Sequence, residues 1–254
     1  MRFTADRRAL VRALTQLTRI TPPRKRMPIL ASVRIGVANG AVSLTATDLD
    51  VTLTVPLDAT GTVDGATCVD ARNLLDVCKR STTETVTLTA RGFAAVTCGT
   101  ATTSLPVTPA DEFPAIPVVP AHEPLDPAAL AGLLDATLYA VGSDETRYTL
   151  NGLYVEQNSD PAWRVTATDG HRLVTAYGDA RTGARLPHPV IIPTRGCAAL
   201  SALLGRGKSR AKSASVGVTE TGVGADAEPD SVTRIGFSVD GAALTVRLIK
   251  GRYP

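Results

Sequence analysis

Aromatic residues make up only 4% of this 254-residue chain, with one Trp, and there are just three histidines and four cysteines. With so few large rings, the core has to be built from Ala, Val, Leu and Thr, which favours sheet-rich modules with a few helices over a helical bundle. Cys68, Cys78, Cys98 and Cys197 show no Cys-x-x-Cys and no spacing that suggests a metal site, so they read as reduced core thiols. No run approaches the roughly 18 apolar residues of a membrane helix, and Met1-Arg2-Phe3-Thr4-Ala5-Asp6 lacks the apolar centre of a signal peptide. A cytoplasmic protein with no membrane partner is expected. The net charge of +3 is too small to mark a nucleic-acid binder by itself, so the placement of the cations has to carry that argument.

What the chain does have is a repeat. Thr45-Ala46-Thr47-Asp48 recurs about half a chain length later as Thr166-Ala167-Thr168-Asp169, and the flanks keep step. Leu10, Leu14 and the run to Ile20 are answered by Leu130, Leu134 and the run to Val141. The helical pattern at Asp70-Ala71-Arg72-Asn73 returns near Pro193-Thr194-Arg195-Gly196, and Phe113-Pro114 closes the first copy as Tyr253-Pro254 closes the second. The expected organisation is one module over residues 1–118, a linker over 119–125 within a Pro-rich segment, and a second module over 126–254.

In the first copy, residues 6–19 read as a helix with Leu10, Leu14 and Leu17 on one face and Arg8, Arg12, Thr15 and Arg19 on the other. That cationic stripe reads equally as a solvated face or as a phosphate contact. Pro22 and Pro28 bracket a loop that displays Arg24, Lys25 and Arg26. Strands are expected at 29–38, 41–46 and 50–55, with Asn39-Gly40 as a two-residue hairpin turn. A second helix over 70–80 is capped by Asp70, with Leu74, Val77 and Cys78 inward and Arg72, Asp76 and Lys79 outward. Strands at 86–90, 94–98 and 102–107 complete the copy. The second copy repeats the order: a helix over 127–141, strands over 148–156, 163–168 and up to 177, a helix over 194–204, and strands over 235–239 and 243–249. Residues 205–230 read as an insertion, first basic and then acidic, expected to be partly mobile.

Constellations that could carry catalysis are incomplete. Gly205-Arg206-Gly207-Lys208-Ser209 ends like a phosphate loop, but Ala202 stands where the first Gly is required and the segment follows a helix instead of opening one, so a basic surface loop is the better account. His171 beside Asp169 suggests a base with its orienting carboxylate, yet neighbours on a turn seldom meet in that geometry. Asp169-Gly170 reads instead as a tight turn. It is either an ordinary hairpin or one that displays His171 and Arg172 beside Leu173 and Leu150 as a rim for an apolar peptide anchor. No Gly-x-Ser-x-Gly or His-Glu-x-x-His occurs; no enzyme activity, cofactor or metal is expected.

Met27-Pro28-Ile29-Leu30, Leu44-Thr45-Ala46-Thr47-Asp48-Leu49, Pro109-Ala110-Asp111-Glu112-Phe113-Pro114, Arg147-Tyr148-Thr149-Leu150-Asn151-Gly152, Ala167-Thr168-Asp169-Gly170-His171-Arg172-Leu173 and Gly251-Arg252-Tyr253-Pro254 together resemble the bacterial sliding clamp, the beta subunit of DNA polymerase III. The resemblance runs end to end. It implies an α+β fold of repeated DNA-clamp modules, two helices of each lining a ring and antiparallel sheets outside, and a non-catalytic processivity factor that encircles double-stranded DNA and tethers the replicative polymerase. DNA contacts are implied at Arg24, Lys25, Arg26, Tyr148 and Arg195, joined by Arg8, Arg12, Arg72 and Lys79 from the helix faces. A partner-peptide pocket for the polymerase catalytic subunit, the clamp loader and other clamp-motif proteins is implied at Leu150, Thr168, Gly170, His171, Arg172, Leu173 and Pro254. The family has a third module beyond the Tyr-Pro pair, which this chain does not contain; ring closure would then need a dimer of a three-module protein or a trimer of a two-module one. The alternative is a two-module relative that binds clamp-motif peptides as an adaptor or decoy without encircling DNA.

Overall fold

The computed structural model describes residues 1–23, 27–115, 119–159, 162–179, 186, 188–205, 207, 210–220 and 232–254. The chain divides into two compact units, Met1–Ile116 and Pro117–Pro254.

In the first unit β1 (Arg2–Asp6) leads directly into α1 (Arg7–Leu17). Asp6 caps that helix by accepting from the Ala9 N–H at 2.8 Å, satisfying one of the donors a helix start leaves orphaned. The helix stops at Leu17, two residues short of the expected end, because the Arg19 N–H turns to the Gln16 carbonyl in a tightened last turn; Arg19 therefore lies beyond the helix. A 3-10 turn at Pro28–Ala31 delays the next strand to Ser32, since the proline has no N–H for a ladder. There follow β2 (Ser32–Ala38), β3 (Ala41–Thr47), β4 (Val51–Leu57), β5 (Ala59–Val63), β6 (Gly65–Asp70), α2 (Ala71–Arg80), β7 (Thr85–Ala90), β8 (Phe93–Cys98) and β9 (Ala101–Pro109). Asn39 and Gly40 take positive φ, 51° and 78°, as the tight β2–β3 hairpin demands. Neither β5 nor β6 was expected from the sequence. Both are rich in Gly and Thr and owe their conformation to distant partners, β5 to β1 and β6 to β2 and β9.

All pairings are antiparallel, in the order β4-β3-β2-β6-β9-β8-β7-β1-β5. Cross-strand threonines link hydroxyls along the ladders, Thr4 with Thr87 and Thr45 with Thr54, each at 3.0 Å. Leu10, Leu14 and Leu17 of α1 and Leu74, Leu75 and Cys78 of α2 are buried; Leu75 takes the inward place expected of Val77, which is half-buried. Each fully buried leucine contributes on the order of 2 kcal/mol.

The second unit holds β10 (Glu123–Leu125), α3 (Pro127–Thr137), β11 (Gly152–Ser159), β12 (Ala162–Thr168), β13 (Leu173–Tyr177), β14 (Val190–Pro193), α4 (Thr194–Leu204), β15 (Ala214–Glu220), β16 (Val232–Val239) and β17 (Ala242–Arg247). Its sheets are β10-β15-β16-β17 and β13-β12-β11-β14, again antiparallel. The order β13-β12-β11-β14 repeats β4-β3-β2-β6, and β17-β16-β15-β10 repeats β9-β8-β7-β1, so the sequence repeat is a repeat of topology.

Several boundaries differ from expectation. The first helix of this unit ends at Thr137, whose hydroxyl donates to the Leu133 carbonyl, and Leu138–Ala140 tightens into a 3-10 turn. The expected strand at 148 starts only at Gly152, after a 3-10 stretch at Glu145–Leu150. Glu123–Leu125, expected in a linker, pairs with β15, and β15 itself lies within the expected insertion. The rest of that insertion falls largely outside the described residues, as do Arg206, Lys208 and Ser209 of the phosphate-loop-like stretch. Residues 119–122 lie across β15 and β16, held by the Ser215 hydroxyl donating to the Ala121 carbonyl. They come so close that a Cβ on Gly217 would run into the Pro120 carbonyl oxygen and one on Gly236 would stand 2.6 Å from that of Val119. Trp163 is 1% exposed at the centre of this unit. Among the described residues no helix is long and apolar enough to cross a membrane.

Candidate functional site

The repeated Thr-Ala-Thr-Asp writes the same hydrogen-bonded turn twice. In the first copy Thr47 Oγ1 accepts from the Leu49 N–H (3.0 Å) and donates to the Val51 carbonyl (3.1 Å), while Asp48 Oδ1 accepts from the Asp50 and Val51 N–H groups. In the second, Thr168 Oγ1 accepts from the Gly170 N–H (3.1 Å) and donates to the Arg172 carbonyl (2.6 Å), while Asp169 Oδ1 accepts from the His171 and Arg172 N–H groups at 2.9 and 3.0 Å. Those N–H bonds, with the Arg172 charge, hold the Asp169 carboxyl below its ordinary value of 3.8. The residue after the Asp has positive φ in both copies, 82° at Leu49 and 90° at Gly170.

The second turn borders a groove of about 590 Å³ lined by Thr146, Arg147, Thr149, Leu150, Thr168, Gly170, Leu173, Arg252 and Pro254. Leu150 is buried at its floor, and Leu173, at 66% exposed, stands at its rim. The Arg147 guanidinium lies over Gly170, where a Cβ would come within 2.8 Å of Nη1. The chain end is fixed beside it by Tyr253, stacked on Tyr154 with ring centroids 4.9 Å apart; burial raises the pKa of both phenols. Gly251, at φ 130°, packs close to Thr149 and the Tyr148 hydroxyl. Such a concave apolar floor with a few polar groups suits an extended peptide with apolar anchors.

Five of the expected pocket residues, Leu150, Thr168, Gly170, Leu173 and Pro254, thus come together from segments a hundred residues apart. His171 and Arg172 do not line the groove. Both are exposed, and the Arg172 guanidinium turns the other way, pairing with Asp169 (2.9 Å), donating to the Tyr139 carbonyl (2.8 Å) and lying 5.6 Å over the Tyr139 ring. Thr146, Arg147, Thr149 and Arg252 were not singled out from the sequence. Arg147, Thr149 and Arg252 lie inside the motifs Arg147–Gly152 and Gly251–Pro254 but were given no role there, and that membership was the available signal.

Of the expected DNA contacts, Arg8, Arg12, Arg72 and Lys79 are all exposed, the first two on the side of α1 opposite its buried leucines, the other two on one side of α2 that flanks the buried Leu75 and lies away from Leu74. Arg7 is not part of this face: its Nε donates to the Thr83 carbonyl at 2.7 Å. In the second unit α3 carries Asp135 and no Lys or Arg, and α4 carries the exposed Arg195 and no acid. Tyr148 is 57% exposed. Arg24, Lys25 and Arg26 lie outside the described residues. Cys68, Cys78 and Cys197 are buried and Cys98 is half-buried; burial pushes the Cys78 and Cys197 thiols up to about 12, so neither is a nucleophile. Among the described residues no group of three His, Cys, Asp or Glu could hold a metal ion.

A module of two helices against antiparallel sheets, repeated in tandem, defines the DNA-clamp class. Residues 1–117 match the N-terminal domain of the DNA polymerase III beta subunit and residues 124–254 its central domain, so the chain belongs to that family, the bacterial sliding clamps. It is 30% identical to the beta sliding clamp of Caulobacter vibrioides over its whole length and 67% of the relative's, and 33% identical to that of Pseudomonas aeruginosa over 80% of this chain and 57% of the relative. The chain therefore spans between 57% and 67% of the length of these curated relatives. The solved sliding clamp from Caulobacter crescentus superposes with a TM-score of 0.86 at 29% identity, over all of this chain and 67% of that one.

Proposed function

We propose that this chain supplies two modules of a self-associated ring that encircles duplex DNA and tethers the replicative polymerase, giving it processivity without catalysing a reaction. The observation that carries this reading is the exposure of Arg8, Arg12, Arg72 and Lys79 on two adjacent helices whose other faces are buried. Cations placed on helices reach phosphates without reading bases, and a closed ring held by that attraction slides. Tyr148 and Arg195 add contacts from the second unit. The groove around Leu150 and Leu173 docks the polymerase catalytic subunit, the clamp loader and repair proteins, and the protein works in the cytoplasm. Retention on nicked circular DNA after loading tests the ring: protein that stays on circles and leaves when they are linearised is topologically linked. Equal release from both would mean side-on binding and defeat the proposal.

A further inference from the structure

The repeat sets each residue of α3 against one of α1. Leu130 and Leu134 answer to Leu10 and Leu14, and the capping Asp126 to the capping Asp6, at one constant step. In that register the outward residues Arg8, Arg12, Thr15 and Arg19 of the first copy correspond to Ala128, Gly132, Asp135 and Tyr139, all four of them exposed. A Cβ on Gly132 would meet nothing within 4 Å, so the stripe is uncovered. The second copy has kept the outward stripe and lost its cations.

One cation returns from outside the helix. Arg210 Nη1 donates to the Ala128 carbonyl at 3.1 Å, which puts the guanidinium on the turn of α3 that corresponds to Arg8. The backbone beside it is fixed. The Ala211 N–H donates to the Leu204 carbonyl at the end of α4 (2.8 Å), and the Lys212 and Ser213 N–H groups donate to Asp240 Oδ1 at 3.0 and 2.9 Å. Among the described residues Arg210 forms no ion pair, and a guanidinium that gives one N–H to a carbonyl keeps further donors for a ligand. The far end of the stripe differs. Arg172 lies over Tyr139, at the place of Arg19, but its charge is already paired with Asp169.

We propose that Arg210 is the second unit's counterpart of Arg8, a phosphate-contacting cation brought to α3 by the segment after α4 in place of one that α3 lacks. This rests on the DNA-encircling reading above and adds a residue to its contact surface. The planar fork of a guanidinium can bond a helix carbonyl and a phosphate oxygen together, and the contact adds one released counterion without reading a base.

The test is binding of a fluorescein-labelled duplex, followed by anisotropy from about 50 to 300 mM salt. Arg210→Gln should lower the magnitude of the slope of log K against log salt by about 0.9 and weaken binding about 5-fold at 0.1 M salt, as should Arg8→Gln. Adding Ala128→Arg to Arg210→Gln returns a cation to the same turn from the helix itself and should restore slope and affinity, a recovery that a misfolded variant could not show. A loss that Ala128→Arg does not repair would overturn the equivalence with Arg8. Wild-type binding by Arg210→Gln, beside a loss in Arg8→Gln, would overturn this inference and leave the DNA-encircling reading standing. Wild-type slopes in both variants would remove both.

Discussion

The two turns made by Thr47-Asp48 and Thr168-Asp169 have the same hydrogen bonds and different consequences. The first closes with Leu49 at φ 82°, a conformation that costs a residue bearing a Cβ roughly 1 kcal/mol; the second closes with Gly170 at φ 90°, which costs it almost nothing. What the glycine gives the second copy is room, and Arg147 occupies it at the edge of a groove. The helices diverge in the opposite sense. Those of the first unit carry Arg8, Arg12, Arg72 and Lys79 outward, whereas α3 has no cation and α4 only Arg195. One module, duplicated, has kept its backbone and divided its surface: exposed cations on the helices of the first copy, an apolar groove beside the turn of the second, and the proposed function assigns phosphate contact to the one and peptide capture to the other.

The sharpest way to break this contrast is to reverse the charge of the first copy's helix face. Arg8→Glu, Arg12→Glu, Arg72→Glu and Lys79→Glu combined should weaken duplex binding at least about 100-fold at 0.1 M salt while peptide affinity is unchanged. Equal loss of both, measured by fluorescence anisotropy, would show that the surfaces are not separate. Next in size, Gly217→Val drives a side chain into the Pro120 carbonyl and should destabilise the second unit by about 3 kcal/mol, read in its thermal transition. An unaltered transition would mean that residues 119–122 do not hold that sheet. Gly170→Ala combines a strained φ with displacement of Arg147 and should cost about 1 kcal/mol of stability, read in thermal unfolding, and weaken peptide binding at the groove. The mirror change, Leu49→Gly, should gain about 0.5 kcal/mol, strain relief outweighing the lost contact of a side chain that is 41% exposed; a loss would show that the two turns are not equivalent. The smallest effect concerns pH. The folded Asp169 pKa lies below 3.8, so its bonds are fully in place above that value and are lost as pH falls through the depressed one. Exchange of the His171 and Arg172 amides should quicken only below about pH 4, and a change centred near neutrality would point to a different group.

How much of this the sequence disclosed depended on the range of the forces involved. The helices α1, α2 and α4 were legible because leucine spacing is local, and at α1 and α2 the capping residues Asp6 and Asp70 are local too. The repeat was legible because the Thr-Asp turn needs those side chains at that spacing in both copies. By contrast, Ala59–Val63 and Gly65–Asp70 carry no strand signal of their own and are strands because β1, β2 and β9 pair with them. Ala214–Glu220 alternates like a strand, but charged and Gly-rich neighbours hid it. At the groove, Leu150, Thr168, Gly170, Leu173 and Pro254 were found through the family resemblance, while Arg147 and Arg252 gained their meaning only when chain segments far apart in sequence met. Arg172 was expected in the pocket on the strength of its position in the motif. Its pairing with Asp169 is local to the turn, three residues apart, whereas its bond to the Tyr139 carbonyl is a long-range contact that no local pattern encodes.

The most direct test of the division between the copies is the salt dependence of duplex binding, as the slope of log K against log salt, for three proteins. These are the wild type, the glutamine form of the first copy's face (Arg8→Gln, Arg12→Gln, Arg72→Gln, Lys79→Gln) and Arg195→Gln. The slope should fall in magnitude by about 3 in the fourfold variant and by less than about 1 in Arg195→Gln. A fourfold variant with the wild-type slope would place the phosphates elsewhere and contradict the account.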